Sequence, residues 1–459
     1  MTTQTTPRAR IRHRTALAVG LLAISLLTVS LFVAAAPSPR FETTADDTWY
    51  EGEGEATMGL HGVSNDELAI EAFFPRESYR PGTTATLRFE STLERVRLQV
   101  FHAGPEWGKT VGDNEMRGLP ATDPVLLDRI SSGGSTRIPI GNWATGLYFA
   151  QLTAKGGRVG YAPFVVPPKQ LGRNRVAVVL PTRTWQAYNF RDADGDGIGD
   201  TWYASEDDRV TAVLHRPFLN RGVPPHFRGY DLPFLHWLNR TGKQVDYLSQ
   251  AELDAVPDAA TLRRAYDVLY FPGHHEYVTT REYDVVEGFR DRGGSLVMLS
   301  ADNFCWRIDL EHGLMTRVAK WRDVGRPEAS LLGVQYIGND EGKSRSAWYL
   351  RKAPATRWVF AKTRASTTGA FSNGGIEIDH TNSSSPQGTQ VLAELPNLLG
   401  PGRTGQMSYY STTKGTEVFS AGAFTLAGSS RQWAVKQLLE NLWAHFTATP
   451  RAPHSPAGG

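Results

Sequence analysis

Three short runs, RVAVVLP (175–181), YDVLYFPG (266–273) and GGSLVMLS (293–300), are apolar almost throughout. A strand wetted on one face alternates apolar and polar residues, so a run without that alternation must be covered on both faces. The segments between these runs are helical in character. DLPFLHWLNRTG (231–242) is amphipathic, with Asp231 placed to cap it and Gly242 to stop it. SQAE (249–252) and TTRE (279–282) have capping-box spacing, and the second opens a helix with Val285, Val286 and Phe289 on one face. QVDYL (244–248) reads as a further strand. Apolar strands alternating with helices predict an α/β fold, a doubly wound parallel sheet beginning near residue 172. The stretch from Ser430 to about Phe446 reads as a last helix carrying Trp433, Leu438, Leu439, Leu442 and Trp443, and residues 447–459 as a disordered tail. Residues 308–428 are mixed and Gly-rich.

Residues 66–168 have another rhythm. LAIEAFF (68–74), TTATLRFE (83–90), RVRLQVFH (95–102), TRIPI (136–140), GLYFAQLTA (146–154) and VGYAPFVV (159–166) are short, rich in β-branched and aromatic residues, and divided by turn residues. That spacing predicts an immunoglobulin-like β-sandwich. Lys155-Gly156-Gly157 reads as a hairpin turn and Pro167-Pro168 as the end of the domain. Trp143 and Tyr148 read as core, with a carbohydrate platform as the alternative.

Residues 37–65 are polar and read as a linker. Residues 1–36 hold Arg8, Arg10, Arg12 and Arg14, no acid, and then an uncharged run over 15–36. This is the layout of a signal peptide cut after Ala35, or of an uncleaved anchor, since 22 apolar residues can span a bilayer. Either predicts a chain secreted or anchored on the outer face of the cytoplasmic membrane, touching membrane only through this segment. Lys plus Arg number 49 against 47 for Asp plus Glu, which excludes a basic, nucleic-acid-coating protein. The single cysteine, Cys305, excludes an intramolecular disulfide and any cysteine-cluster metal site. Crowded by Phe304 and Trp306, it reads as a small buried apolar residue rather than a nucleophile.

In an open parallel sheet, function collects just past the carboxyl ends of the strands. Three such loops stand out: 184–189 (TWQAYN), 273–277 (GHHEY) and 301–305 (ADNFC). In an extended segment His274 and Glu276 point the same way. Imidazole with carboxylate suits zinc or non-haem iron, and the phenol of Tyr188 could bind a trivalent cation as phenolate. The plain alternative is a hydrogen-bonded turn at a strand end, and His275 leaves the choice of imidazole open. Asp192, Asp194, Asp196, Gly197 and Asp200 follow the start of a calcium loop, but its twelfth position is Tyr203 instead of Glu. A structural calcium and a simple acidic turn are the two readings there. His236, beside Phe234 and Leu235, reads as a satisfied core or surface histidine.

The run TWQAYN, the strand leading to GHHEY, the helix to Gly293-Gly294 and SADNFCWR (300–307) together resemble the family of the N,N-dimethylformamidase large (beta) subunit, C-terminal domain. The resemblance covers about residues 172–446. It implies a glutamine amidotransferase-like (flavodoxin-like) α/β domain after a β-sandwich, holding a mononuclear iron through a tyrosine, a histidine and a glutamate. Carried over, these are Tyr188, His274 and Glu276, with Asn303 and Glu417 as the catalytic asparagine and glutamate. The function implied is an exported metal-dependent hydrolase of a linear amide, with a small-molecule substrate and a small subunit or further copies as partners. The competing function is a non-catalytic cell-envelope protein that binds a ligand or polymer with the same two-domain fold.

Overall fold

The apolar runs form the centre of one nine-stranded sheet in the computed structural model, which describes residues 64–204 and 209–448. The leader, nearly all of the expected linker and the tail beyond residue 448 lie outside the described residues. Five strands are parallel: Val176–Val179, Asp246–Leu248, Val268–Phe271, Ser295–Met298 and Glu417–Ser420. Numbered along the chain they lie side by side in the order 2-1-3-4-5. The order therefore reverses beside Val176–Val179, which opens a crevice at the carboxyl ends of the first and third strands.

The pleat sends alternate residues to two separate cores. Val176, Val178, Val268, Tyr270 and Val297 pack against Phe234, Leu238, Leu438 and Leu442 of the helices Leu232–Arg240 and Trp433–Thr447. Ala177, Val179, Leu269, Phe271, Leu296 and Met298 pack against Leu262, Val285, Val286 and Phe289 on the other face. Each large side chain so buried contributes roughly 1.5–3 kcal/mol, which is why neither face can be polar. Ser249 and Thr279 accept from the amides of Glu252 and Glu282 and cap their helices as expected. Asp231 stands at the N-cap of Leu232–Arg240 but does not cap it; its carboxylate accepts instead from Trp185 Nε1 at 3.1 Å. Gly242 takes the left-handed φ of 66° that ends this helix.

The sheet is not wholly parallel. Gly405–Ser411, Gln390–Leu395, Arg345–Leu350 and Ala370–Gly375 extend it as antiparallel strands beyond Glu417–Ser420, and the fold is mixed α/β. Register shifts at 347/348 and 391/393 break the period-two pattern, so residues 308–428 carry no clean strand signal.

Upstream, a sheet of Ala72–Phe73, Thr84–Phe89 and Ser135–Pro139 and a five-stranded antiparallel sheet share a core of Ala85, Leu87, Val96, Val100, Tyr148 and Phe164. Trp143 stacks on Tyr148 at 5.2 Å, and the Tyr148 hydroxyl donates to the Ala144 carbonyl, so the pair belongs to this core. Gly156 and Gly157, at φ 80° and 77°, make the hairpin between Gly146–Ala154 and Arg158–Val166. Leu119–Pro120 and Val125–Ile130 were not legible as strands, because Leu119, Val125 and Leu126 face solvent. Packing does not stop at Pro167-Pro168. Leu147, Phe149, Tyr161 and Val165 join the core that holds Val176 and Phe234.

Candidate metal centre

Four chain segments meet at the crevice. The short helix Thr182–Ala187 follows the first strand and delivers Tyr188 at its C-cap. The third strand leads into His274 and Glu276, and the fourth into Asp302 and Asn303. The strand Glu377–His380 bridges to Ala423, past the fifth, and brings Glu377 and Asp379. Backbone contacts set the loops. Asn303 Oδ1 accepts from the His275 amide at 3.0 Å, Thr184 Oγ1 accepts from the Glu276 amide at 3.2 Å, and the Glu276 carbonyl accepts from the Trp306 amide. Asp302 and Phe304 hold left-handed φ of 50° and 58°, and Ile376, beside Glu377, holds 70°. Such strain in non-glycine residues is of the kind that clusters at functional sites, although the chain carries it elsewhere too, at Arg95 and His312 among others.

The Tyr188 hydroxyl donates to Glu276 Oε2 at 2.8 Å. His274 Nε2 lies 3.0 Å from Glu377 Oε2, 3.6 Å from Glu276 Oε2 and 4.0 Å from Asp302 Oδ2, yet is aligned with none of them for a hydrogen bond. Ligand atoms of His274, Glu276 and Asp302 all fall within 4.8 Å of one another. All of these side chains are buried.

Burial alone would lower the His274 pKa, but the carboxylates of Glu377, Asp302 and Glu276 hold it well above the ordinary range. Burial, with Asp302 alongside, pushes Glu276 up to about 8, and burial pushes Asp379 up to about 8. Four buried carboxyl groups crowd one imidazole, and a multivalent cation among them would favour their ionised forms. The unaligned imidazole nitrogen and the oxygen-rich donor set fit a hard or borderline metal ion.

Tyr188, His274 and Glu276 are thus brought together, and His274 rather than His275 faces the cluster. His275 is buried against Phe271 and Phe304, with burial holding its pKa well below the ordinary range. Asn303 is adjacent and holds the His274–Glu276 loop through the His275 amide. Glu417 is elsewhere: it begins a parallel strand, at the opposite end of the sheet, and bonds Tyr409 and, at 2.8 Å, His445 Nε2. Asp302, Glu377 and Asp379 were missed as site residues. GIEIDH (375–380) did carry a signal, because Glu377 and Asp379 repeat the i, i+2 spacing of His274 and Glu276.

Asp192, Asp194 and Asp196 also cluster within 4.8 Å, and their carboxylates accept from the amides of residues 195–198. Tyr203 turns away from that loop toward the Tyr188 hydroxyl, 3.0 Å distant. Cys305 is buried, and burial pushes its thiol far above the usual range. His236 Nε2 pairs with Glu106 Oε1 at 2.7 Å, while its Nδ1 is buried with no hydrogen-bond partner.

Beside the cluster lies a pocket of about 350 Å³, walled by Pro181, Trp185, Tyr230 and Phe424 and reaching Tyr188, His274 and Asp231. The molecule is thus a mixed α/β protein with a buried imidazole–carboxylate–phenol cluster where its parallel strands end. It belongs to the N,N-dimethylformamidase beta subunit-like, C-terminal family, whose model matches residues 133–433. That match begins within the antiparallel sheets, earlier than residue 172. The N,N-dimethylformamidase beta subunit of Paracoccus aminophilus is 26% identical over 204 residues, covering 36% of this chain and 26% of the relative. The matched region thus spans about a quarter of that protein. Among solved structures, the mmIFT52 N-terminal domain is similar at 12% identity and a TM-score of 0.25, over 47% of this chain and 89% of that one. A superoxide reductase (neelaredoxin) from Ignicoccus hospitalis is similar at 13% identity and a TM-score of 0.14, over 26% and 89%. Likenesses this slight define neither fold nor function.

Proposed function

We propose that the chain is a metal-dependent hydrolase of the C–N bond of an amide, with Tyr188, His274 and Glu276 holding a mononuclear iron. The observation that carries this reading is the meeting of these three side chains, with Asp302, at the mouth of a pocket, in a member of a dimethylformamidase-related family. When bound, the iron supplies a Lewis acid that polarises the amide carbonyl and lowers the pKa of water. The chain's residues do the rest. The pocket walls exclude water and hold the substrate's apolar part. Glu377, 3.0 Å from His274, carries the proton that the departing nitrogen needs, the acid/base role expected of Glu417. Asn303 fixes the His274–Glu276 segment through the His275 amide.

The same proposal takes residues 1–36 as an export leader, which puts the reaction outside the cytoplasm. It reads the 2-1-3-4-5 strand order as the glutamine amidotransferase-like arrangement and the paired antiparallel sheets as immunoglobulin-like. The test is amine release from a panel of small amides by the wild-type chain and by Glu276→Gln. We expect release from at least one amide and its loss in the variant. Release unchanged in Glu276→Gln would contradict the assignment.

A further inference from the structure

Asp231 is buried to 3% exposure at the N-cap of the helix Leu232–Arg240. An aspartate there ordinarily caps the helix, and forgoing the cap costs about 1 kcal/mol. Its side chain turns instead toward the pocket beside His274. Oδ2 accepts from Trp185 Nε1, but Oδ1 is buried with no hydrogen-bond partner. Among the described residues the Trp185 indole is its side-chain hydrogen-bond donor, and the charge of the His274 imidazole acts on it only through space. Gly273 keeps the space around Oδ1 clear, since a Cβ there would come within 2.5 Å of it. A buried, unanswered carboxylate oxygen is expensive unless a ligand supplies the donor. Pro181, Trp185, Pro225, Tyr230 and Phe424 give the pocket apolar or aromatic walls, and Thr184 and His226 line it beside Tyr188 and His274.

We propose that Asp231 is the specificity-determining residue of the pocket, and that it selects amides bearing N–H on the nitrogen over N,N-dialkyl amides. Oδ1 accepts the substrate N–H, while the substrate's apolar groups lie against Trp185, Tyr230 and Phe424. An N,N-dialkyl amide offers no donor and leaves Oδ1 buried and unsatisfied. This inference rests on the amide reading above, and its test separates the two.

The probes are acetamide, N-methylacetamide and N,N-dimethylacetamide, presented at pH 8 to the whole chain, to Asp231→Asn and to Asp231→Leu. Dissociation constants come from ligand-observed NMR, amine release is followed in parallel, and thermal melting checks that each variant is folded. Asp231→Asn keeps an acceptor for Trp185 but turns an N–H₂ toward the substrate. One hydrogen bond to a charged group predicts that the N–H amides bind about 10-fold or more tightly than the dimethyl amide. That ratio falls toward one in both variants. Equal or better binding of the dimethyl amide, a ratio unchanged in the variants, or no binding of any probe overturns the inference. Preferential binding without amine release would sink the hydrolase reading and leave the role of Asp231 standing. Amine release without preference would do the reverse.

Discussion

Single side chains in this molecule divide by whether their burial is answered. His102 shows an unanswered ring: it stacks on Tyr148 at 4.5 Å, and burial holds its pKa down to about 4, against the pull of Glu106. The folded ring stays neutral while the unfolded one protonates near its ordinary 6.5. The unfolded state therefore binds more protons below that value. His102 leaves stability untouched above pH 6.5 and subtracts from it as pH falls from about 6.5 to 4, by up to roughly 3 kcal/mol. Urea midpoints measured across that range should fall less steeply for His102→Phe than for the wild type; parallel curves would show that the ring does not titrate this way. Cys305 is the apolar counterpart, a thiol whose surroundings keep it protonated and out of the chemistry.

Between elements, one buried cation joins three segments of the chain. Arg183, on the helix that carries Tyr188 to the cluster, is fully enclosed by Glu77 of the antiparallel part, by Asp254 and by Glu282, the last at 3.0 Å. Glu77 also accepts from Thr182 and from the Ala251 amide. Arg183→Met would leave these carboxylates without their cation and should cost about 3–5 kcal/mol, read as a lower urea midpoint. A loss under 1 kcal/mol would mean that water reaches the network. How legible such elements are in the sequence depends on what fixes them. The strands at 176–179, 268–271 and 295–298 were legible because both faces are buried, and the caps at Ser249 and Thr279 because capping is local chemistry. Their places just past parallel strands singled out the loops that bear Tyr188, His274 and Glu276, but it was the family resemblance that joined these three into one site. Asp231 was read as a cap because its partner Trp185 lies 46 residues away. Glu377 was missed because it arrives on a strand outside the parallel set, entered through the strained Ile376, and nothing local places it beside His274.

Over the whole molecule, the antiparallel sheets and the parallel sheet are cemented by one core that runs from Phe149 and Tyr161 to Val176, Phe234 and Leu438. Calorimetry should accordingly show a single cooperative transition, and two well-separated ones would contradict a shared core. That continuity also holds Tyr188 fixed against His274, which the account requires of a metal site. The most direct measurement is the metal itself. Residues 37–459 would be purified without chelator and analysed by plasma mass spectrometry and visible absorption, beside Tyr188→Phe. The account predicts near-stoichiometric iron and a phenolate-to-iron absorption band that the variant lacks. No bound transition metal, or iron and a spectrum indifferent to Tyr188, would contradict it.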